Sequence, residues 1–217
     1  MTDTYHSPYE TCPYLTEKKG DANEDYRSPY EACPHLAEKS GDAVNGSAKY
    51  KSEYEAYPFL SDSDADIRCD FEILTDRISS LSGLLAAKCP ERKEEILKVD
   101  ELVYHANPSL RTHFSITTEE IEWLHSAIQE MQEEVRDRFE KFVLPAGSER
   151  GSLAHVLRVD GKQLVRALYK ARERGLEFSN ELIDFANLVS GYFFMLSLWL
   201  NKEDGVEEIP FVSRNYK

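Results

Sequence analysis

From residue 67 onward, apolar residues recur at intervals of three and four, the spacing that places them on one face of an α-helix. Five such stretches cover about residues 67–89, 90–107, 117–139, 152–173 and 179–200. The first stops before Pro90, because proline cannot continue a helix, and the fourth stops before Gly175, a residue suited to a left-handed C-cap. The third begins at Thr117 or Thr118, either of which suits an N-cap. The pattern predicts an all-α fold, a bundle of five helices.

The fifth predicted helix differs from the others, because it is apolar on nearly every face. A helix of this kind lies at the centre of a bundle or is covered by another subunit. Its longest apolar run, around residues 192–200, is too short to cross a bilayer. We therefore expect a helical bundle over residues 67–203, a C-terminal extension over residues 204–217, and no membrane partner.

The first 66 residues follow a different pattern, in which one short motif occurs three times. Its copies are residues 5–15, 26–36 and 50–60, and they share Tyr, Ser, Tyr-Glu, Pro and Leu at matching positions. The third copy is weaker, because it has Glu in place of the first Pro and Tyr in place of Cys. The positions expected to contact a partner are Tyr9, Cys12, Pro13, Leu15, Tyr30, Cys33, Pro34, Leu36, Tyr54, Tyr57, Pro58 and Leu60.

The spacers between the copies are rich in Lys, Gly, Asp, Asn and Ser, which are well solvated and bury little, so the sequence predicts a disordered tail. Units of eleven residues are too short to stack as a solenoid. Three tethered copies instead favour a docking peptide whose avidity rises with copy number. The expected partner is a multi-subunit assembly, such as a protein shell. Haem binding at the two Cys-Pro pairs, phosphorylation at Ser-Pro and a plain flexible tail are the alternatives.

Charge and cysteine content exclude several classes of protein. Acidic residues outnumber basic ones by 40 to 26 and the net charge is -14, which argues against a nucleic-acid partner. The four cysteines are widely spaced and form no Cys-x-x-Cys pair, so the sequence predicts neither a disulfide framework nor a metal site. We expect reduced thiols and a cytoplasmic protein, or one held within a protein compartment.

Five segments of the helical part resemble one family, the ATP:cob(I)alamin adenosyltransferases of the PduO type. Residues 142–148, Phe-Val-Leu-Pro-Ala-Gly-Ser, are similar to the family's Phe-Val-Leu-Pro-Gly-Gly-Ser, and residues 155–158 to the His-Val-Ala-Arg that follows it. Residues 75–84, 116–124 and 187–194 resemble the family's first, third and fifth helices in the same order. The resemblance implies a five-helix bundle that forms homotrimers with active sites between subunits. It also implies cobalamin as the corrinoid, together with ATP and Mg²⁺.

The resemblance assigns roles to individual residues. Phe142 matches the phenylalanine that displaces the lower axial ligand of the corrinoid and so makes the cobalt easier to reduce. Asp76 and Arg158 match an acid and a base that pair across the subunit interface. Lys162 stands where a phosphate-binding Arg is usual. The implied catalytic residues are Phe142, Arg158 and Lys162, and the implied substrate-binding residues are Asp76, Phe142, Arg158, Arg166 and Asn187.

The resemblance is incomplete on the nucleotide side. The family's glycine-rich ATP loop should precede the first helix, yet residues 61–68 contain no glycine. Two functions therefore stay open: transfer of the 5′-deoxyadenosyl group of ATP to cob(I)alamin, and a non-catalytic cargo or scaffold protein recruited through the tail repeats. Without the resemblance, Phe142 would be a core aromatic, Asp76 and Arg158 an ordinary surface pair, and His155 a packed or capping side chain.

Overall fold

The computed structural model describes residues 50–63, 65–140 and 142–215. Its helices are α1 (Ile67–Lys88), α2 (Lys93–Ala106), α3 (Thr118–Glu134), α4 (Glu149–Glu173) and α5 (Asn180–Glu203). The prediction of an all-α fold with five helices is confirmed. The first two tail repeats lie outside the described residues.

The helices pack in an order that differs from their order along the chain. α4 packs against α5, α1 packs against both α2 and α4, and α3 packs against α5. Buried apolar side chains from all five helices form one continuous core, with Phe71, Ile96, Leu124, Leu164 and Phe193 among its fully buried members. α4 and α5 form the most extensive helix–helix contact of the bundle.

Local sequence sets most of the helix ends. The Thr117 side chain accepts a hydrogen bond from the Glu120 N–H while the Glu120 carboxylate accepts one from the Thr117 N–H, which completes a capping box at the start of α3. At the end of α4, Gly175 has a φ of +86°, and the next N–H bonds back to the Ala171 carbonyl. This is the glycine-capped end that the sequence predicts.

Four helix ends differ from the prediction by three residues or more. α2 begins at Lys93, after a 3₁₀ turn, and α5 continues to Glu203. The other two ends are those of α3 and α4.

α3 was expected to run to Phe139 but ends at Glu134, and a 3₁₀ turn at Arg136–Arg138 follows it. In this turn, Arg138 donates hydrogen bonds to the Val206 carbonyl and the Glu208 carboxylate. α4 begins at Glu149, three residues earlier than expected, because Ser148 caps it by accepting the Gly151 N–H. Contacts between distant segments outweighed the helical pattern at the end of α3.

α5 is the core helix. The prediction that its apolar run is too short to cross a bilayer considered only residues 192–200 and is wrong for the whole helix. Among the described residues, α5 is the one helix long and apolar enough to cross a membrane, and 61% of its most apolar window is buried inside the bundle. Burial against the other helices accounts for this composition, as expected for a central helix.

The third tail repeat, residues 50–60, forms a series of turns before α1. The Glu55 carboxylate accepts the Ser61 N–H, and the guanidinium of Arg111 lies 3.6 Å from the centre of the Phe59 ring. Tyr54 and Leu60, which the three copies share, are 85% and 52% exposed. Phe59, which replaces Tyr and His of the other copies, thus contacts the bundle, while two shared positions face solvent.

Candidate functional site

A cavity of about 590 Å³ lies between α4, α5 and the loop that joins α3 to α4. One face of α4 contributes His155, Arg158 and Lys162, whose spacing of three and four residues places them in one row. The facing row on α5 includes Asn187 and Phe194. Together with Phe142 from the loop, these residues form the Phe142 cavity, which brings together four of the predicted site residues: Phe142, Arg158, Lys162 and Asn187.

Phe142 belongs to the Phe142 loop, residues 142–148, at the mouth of the cavity. Its side chain is 86% exposed, an unusual state for a phenylalanine in a chain with a well-formed core. The backbone holds it there, because the Phe142 carbonyl accepts a hydrogen bond of 2.8 Å from the Phe211 N–H. The prediction from composition alone, a core aromatic, does not describe this position.

His155 is buried in the wall of the cavity, with 3% of its surface exposed. Neither ring nitrogen has a hydrogen-bond partner among the described residues, so it packs beside Phe194 but caps nothing. Burial, and then the charge of Arg158, lower the pKa of His155 to about 4. At neutral pH the cavity wall therefore contains a neutral imidazole with a donor and an acceptor to offer.

Arg158 is half-buried next to His155. Its Nε has no partner in the described part of the chain, and its guanidinium carbon lies 5.8 Å from the centre of the Phe194 ring. Burial lowers the pKa of the guanidinium, which nevertheless remains charged at any physiological pH. Buried polar groups without partners are rare in folded proteins, so two adjacent ones on a cavity wall indicate a place for a polar ligand.

Asp76 and Arg166, the other predicted site residues, lie outside this cavity. Asp76 is exposed on α1, and no ion pair joins it to Arg158 within the part of one chain that the structure describes. Arg166 lines a groove of about 470 Å³ between α1 and α4, beside Arg77 and Lys170. The α1–α4 groove thus collects three cations, of which Arg77 forms an ion pair of 2.9 Å with the buried Asp160.

The residues just before α1 (61–63, 65 and 66, here the pre-α1 segment) occupy the position at which the resemblance implies a glycine-rich loop. Asp62 forms an ion pair of 3.0 Å with Arg111, which also binds the buried Glu72 at 2.6 Å. Asp66 caps α1, and the Ala65 carbonyl accepts a hydrogen bond from Arg174. The polar groups of this segment are directed into the protein's own structure.

Sequence reasoning missed what supports the Phe142 loop. Gly147 has a φ of +145°, and a Cβ there would lie 2.2 Å from the Asn201 side-chain oxygen. That oxygen accepts the Ser148 N–H at 2.9 Å, while the Asn201 amide nitrogen donates to the Ala146 carbonyl. Asn201 is fully buried at the end of α5. The sequence feature that could have indicated this support is Asn201 itself, an amide residue directly after a long apolar run.

Comparisons with known proteins indicate one family. The sequence model of a family described as cobalamin adenosyltransferase matches residues 63–200. The corrinoid adenosyltransferase of Bacillus subtilis (strain 168) is 23% identical over 147 residues, which are 63% of this chain and 75% of the relative.

Similar folds occur in solved structures of PduO-type ATP:corrinoid adenosyltransferase variants from Lactobacillus reuteri. One variant, in complex with cobalamin and ATP, has a TM-score of 0.62 and 21% identity, covering 70% of this chain and 86% of its own. Another, in complex with ATP, has a TM-score of 0.60 and 21% identity, covering 68% and 88%. With the match over residues 63–200, the chain belongs to the cobalamin adenosyltransferase family.

Proposed function

We propose that this protein binds a corrinoid in the Phe142 cavity and transfers to it the 5′-deoxyadenosyl group of ATP. One observation carries the proposal. At one cavity, an exposed apolar ring meets buried polar atoms of His155 and Arg158 that have no hydrogen-bond partner among the described residues. A corrinoid combines a flat apolar ring system with amide groups around its edge. The residues present fit that chemistry, since phenyl rings suit the ring face and the free donors and acceptors suit the amides.

Each cavity residue has a separate role in this proposal. Phe142 lies against one face of the corrin ring and excludes a lower axial ligand from the cobalt. Arg158, His155 and Asn187 hydrogen-bond to the edge amides and fix the orientation of the ring. The Lactobacillus reuteri relative solved with cobalamin and ATP supports this choice of substrates.

The transfer step forms a bond between cobalt and the 5′ carbon of ATP and breaks the bond from that carbon to oxygen. Cobalt(I) supplies the electron pair, and the triphosphate leaves with the electrons of the broken bond. Cations must stabilise that leaving charge, together with the Mg²⁺ that accompanies ATP. Lys162 at the Phe142 cavity and Arg166 in the α1–α4 groove are the residues we assign to it.

We assign the exposed Asp76 to a partner copy, in which it pairs with Arg158 across the interface of a homotrimer. The outer faces of α1 and α4 support such an interface, because they carry apolar side chains that are 42–49% exposed: Ile73, Leu84, Val156, Val159 and Tyr169. Light scattering on the purified protein tests the trimer. An Asp76→Asn variant tests the pair, with weaker corrinoid binding and an intact monomer fold as the expected result.

Titration with cobalt(II) corrinoid, with and without ATP, tests the proposed function directly. We expect binding, and an absorption band of four-coordinate cobalt(II) when ATP is present. Incubation with ATP, Mg²⁺ and reduced corrinoid should then yield adenosylcobalamin, at a slow rate because the pre-α1 segment lacks the glycine-rich loop. Absence of corrinoid binding would exclude the proposal.

The pre-α1 segment favours a second candidate, a non-catalytic protein that binds a corrinoid or serves as cargo. Asp62 and Asp66 contact Arg111 and the start of α1, so this segment offers the phosphates no glycine-rich run of backbone N–H groups. The two candidates separate in one assay. Corrinoid binding without adenosylcobalamin, at saturating ATP, supports the second candidate.

We further propose that the tail repeats dock the protein to a larger assembly, such as a protein shell, within the cytoplasm. The exposure of Tyr54 and Leu60 in the third copy supports this, since both belong to the shared pattern. Deletion of residues 1–60, which removes all three copies, should preserve corrinoid binding and abolish co-purification of the partner. Replacing Tyr9, Tyr30 and Tyr54 by Ala in the full chain should have the same effect, and retention of the partner would contradict docking.

A further inference from the structure

Residues 206–211 run back along the Phe142 loop and bond to it as a short antiparallel pair. The Phe211 N–H donates to the Phe142 carbonyl at 2.8 Å, and the Leu144 N–H donates to the Ile209 carbonyl at 2.9 Å. Val143 and Pro210 face each other between these two bonds. We name residues 206–211 the C-terminal clasp. It lies beyond residue 200, where the match to the family ends.

A nearly buried ion pair anchors the C-terminal clasp to the end of α3. Arg138 donates to the Val206 carbonyl and to the Glu208 carboxylate, both at 2.8 Å. The side chains of Arg138 and Glu208 are only 10% and 7% exposed. Glu207 also approaches Arg138, at 3.4 Å, but is 88% exposed. An ion pair shielded from water holds its geometry better than an exposed one, so Glu208 is the anchoring residue.

Asn201 links the clasp to the other end of the Phe142 loop. Its amide nitrogen donates to the Glu208 carboxylate at 3.3 Å as well as to the Ala146 carbonyl at 3.2 Å. Its oxygen accepts the Ser148 N–H. The Phe142 loop is therefore held at residues 142 and 144 by the clasp, and at residues 146 and 148 by Asn201.

We propose that the C-terminal clasp is a positioning segment, which fixes the position of Phe142 at the cavity. The Phe142 side chain is too exposed to fix its own position by packing, so the backbone bonds from the clasp to residues 142 and 144 fix it. The consequence for the corrinoid, control of its lower axial ligand through Phe142, rests on the proposed function. The structural part, immobilisation of the loop, does not.

Hydrogen exchange of the free protein tests the structural part. Truncation after Gly205 removes the clasp, whereas truncation after Val212 keeps it and serves as the matched control. We expect the Leu144 amide to exchange at least roughly tenfold faster after the first truncation and at an unchanged rate after the second. Equal protection of Leu144 in both truncated chains would overturn the proposal.

A pair of single substitutions keeps the test decisive if the shorter chain fails to fold. Glu208→Ala removes the buried anchor, and Glu207→Ala removes its exposed neighbour. The Leu144 amide should exchange faster in Glu208→Ala only, while amides in the middle of α5 keep their protection in both variants. Faster exchange in both variants, or in neither, would overturn the proposal that the clasp, anchored through Glu208, immobilises the loop.

The corrinoid spectrum tests the consequence. With ATP present, the four-coordinate cobalt(II) band of the chain truncated after Gly205 should fall to the level of Phe142→Ala, and combining the two changes should cause no further loss. An undiminished band in the truncated chain would overturn this role. If the full-length protein binds no corrinoid, the proposed function fails, while the exchange result still decides whether the clasp holds the loop.

Discussion

In the Phe142 cavity, buried polar atoms of His155 and Arg158 have no partner within the described residues, whereas in the pre-α1 segment Asp62 and Asp66 are paired inside the chain. Leaving a buried polar group unpaired costs about 1–3 kcal/mol, so a fold keeps such groups mainly where a ligand completes them. The comparison teaches that the Phe142 cavity, where we propose corrinoid binding, keeps polar groups that a ligand would complete. In the pre-α1 segment, where the resemblance implies a nucleotide-binding loop, Asp62 instead pairs with Arg111 and Asp66 caps α1.

The largest expected effect on stability concerns Arg111, which pairs with Asp62 of the pre-α1 segment. Arg111→Met removes the partner of the buried Glu72 and of Asp62, so the free energy of unfolding should fall by about 3 kcal/mol in urea titrations. Arg136→Met is the control, because Arg136 pairs with Glu133 on the surface and should matter by less than about 0.5 kcal/mol. Equal losses of unfolding free energy in Arg111→Met and Arg136→Met would contradict the view that the ion pairs of Arg111 stabilise this region.

The second prediction concerns how His155, in the wall of the Phe142 cavity, makes the stability of the protein depend on pH. The pKa of His155 is lowered to about 4 from 6.5, so the unfolded chain takes up a proton first as the pH falls. The contribution to stability is therefore complete above about pH 6.5 and is lost towards pH 4, a change of about 3 kcal/mol at most.

Comparing wild type with His155→Leu isolates this contribution, because acid also protonates many carboxylates in both proteins. The difference in unfolding free energy between the two should change over the interval from pH 6.5 to 4. His125→Leu, at an exposed position, controls for the loss of an imidazole. Parallel pH profiles for wild type and His155→Leu would show that the imidazole is not held neutral.

Phe142→Ala should separate function from stability. Because the side chain is 86% exposed, its removal should change the free energy of unfolding by no more than about 0.5 kcal/mol. The rate of adenosylation should fall roughly tenfold, equivalent to about 1.4 kcal/mol of transition-state free energy. Val212→Ala, at a position 87% exposed, should change neither quantity. A normal rate in Phe142→Ala would place the corrinoid elsewhere.

The smallest effect is expected from Lys162→Arg. An arginine fork contacts phosphate oxygens in pairs, which a lysine cannot do, so the adenosylation rate should rise by roughly threefold. Lys162→Ala should lower the rate, and Lys93→Arg on α2 is the control for a change of cation type. An unchanged rate in both Lys162 variants would contradict the assignment of Lys162 to the leaving triphosphate.

Much of the fold could be predicted from local sequence. The capping box at Thr117 and the C-terminal glycine Gly175 both lie within a few residues of the groups they contact. The end of α3 could not, because Arg138 is drawn to Glu208, which lies 70 positions away in the sequence. Similarly, the grouping of Phe142, Arg158, Lys162 and Asn187 followed from the resemblance, but the absence of partners for His155 needed the packed structure.

The sequence by itself determined the five helices, the capped start of α3, the glycine-capped end of α4 and the apolar character of α5, because helical periodicity and caps depend on neighbours within about one turn. Only the tertiary structure decided that Phe142 is exposed, that Asp62 pairs with Arg111 and that residues 206–211 bond to the Phe142 loop. These features depend on which distant groups meet as the helices pack, and on whether water or protein satisfies each polar atom there. Hydrophobic spacing carries no information about that choice.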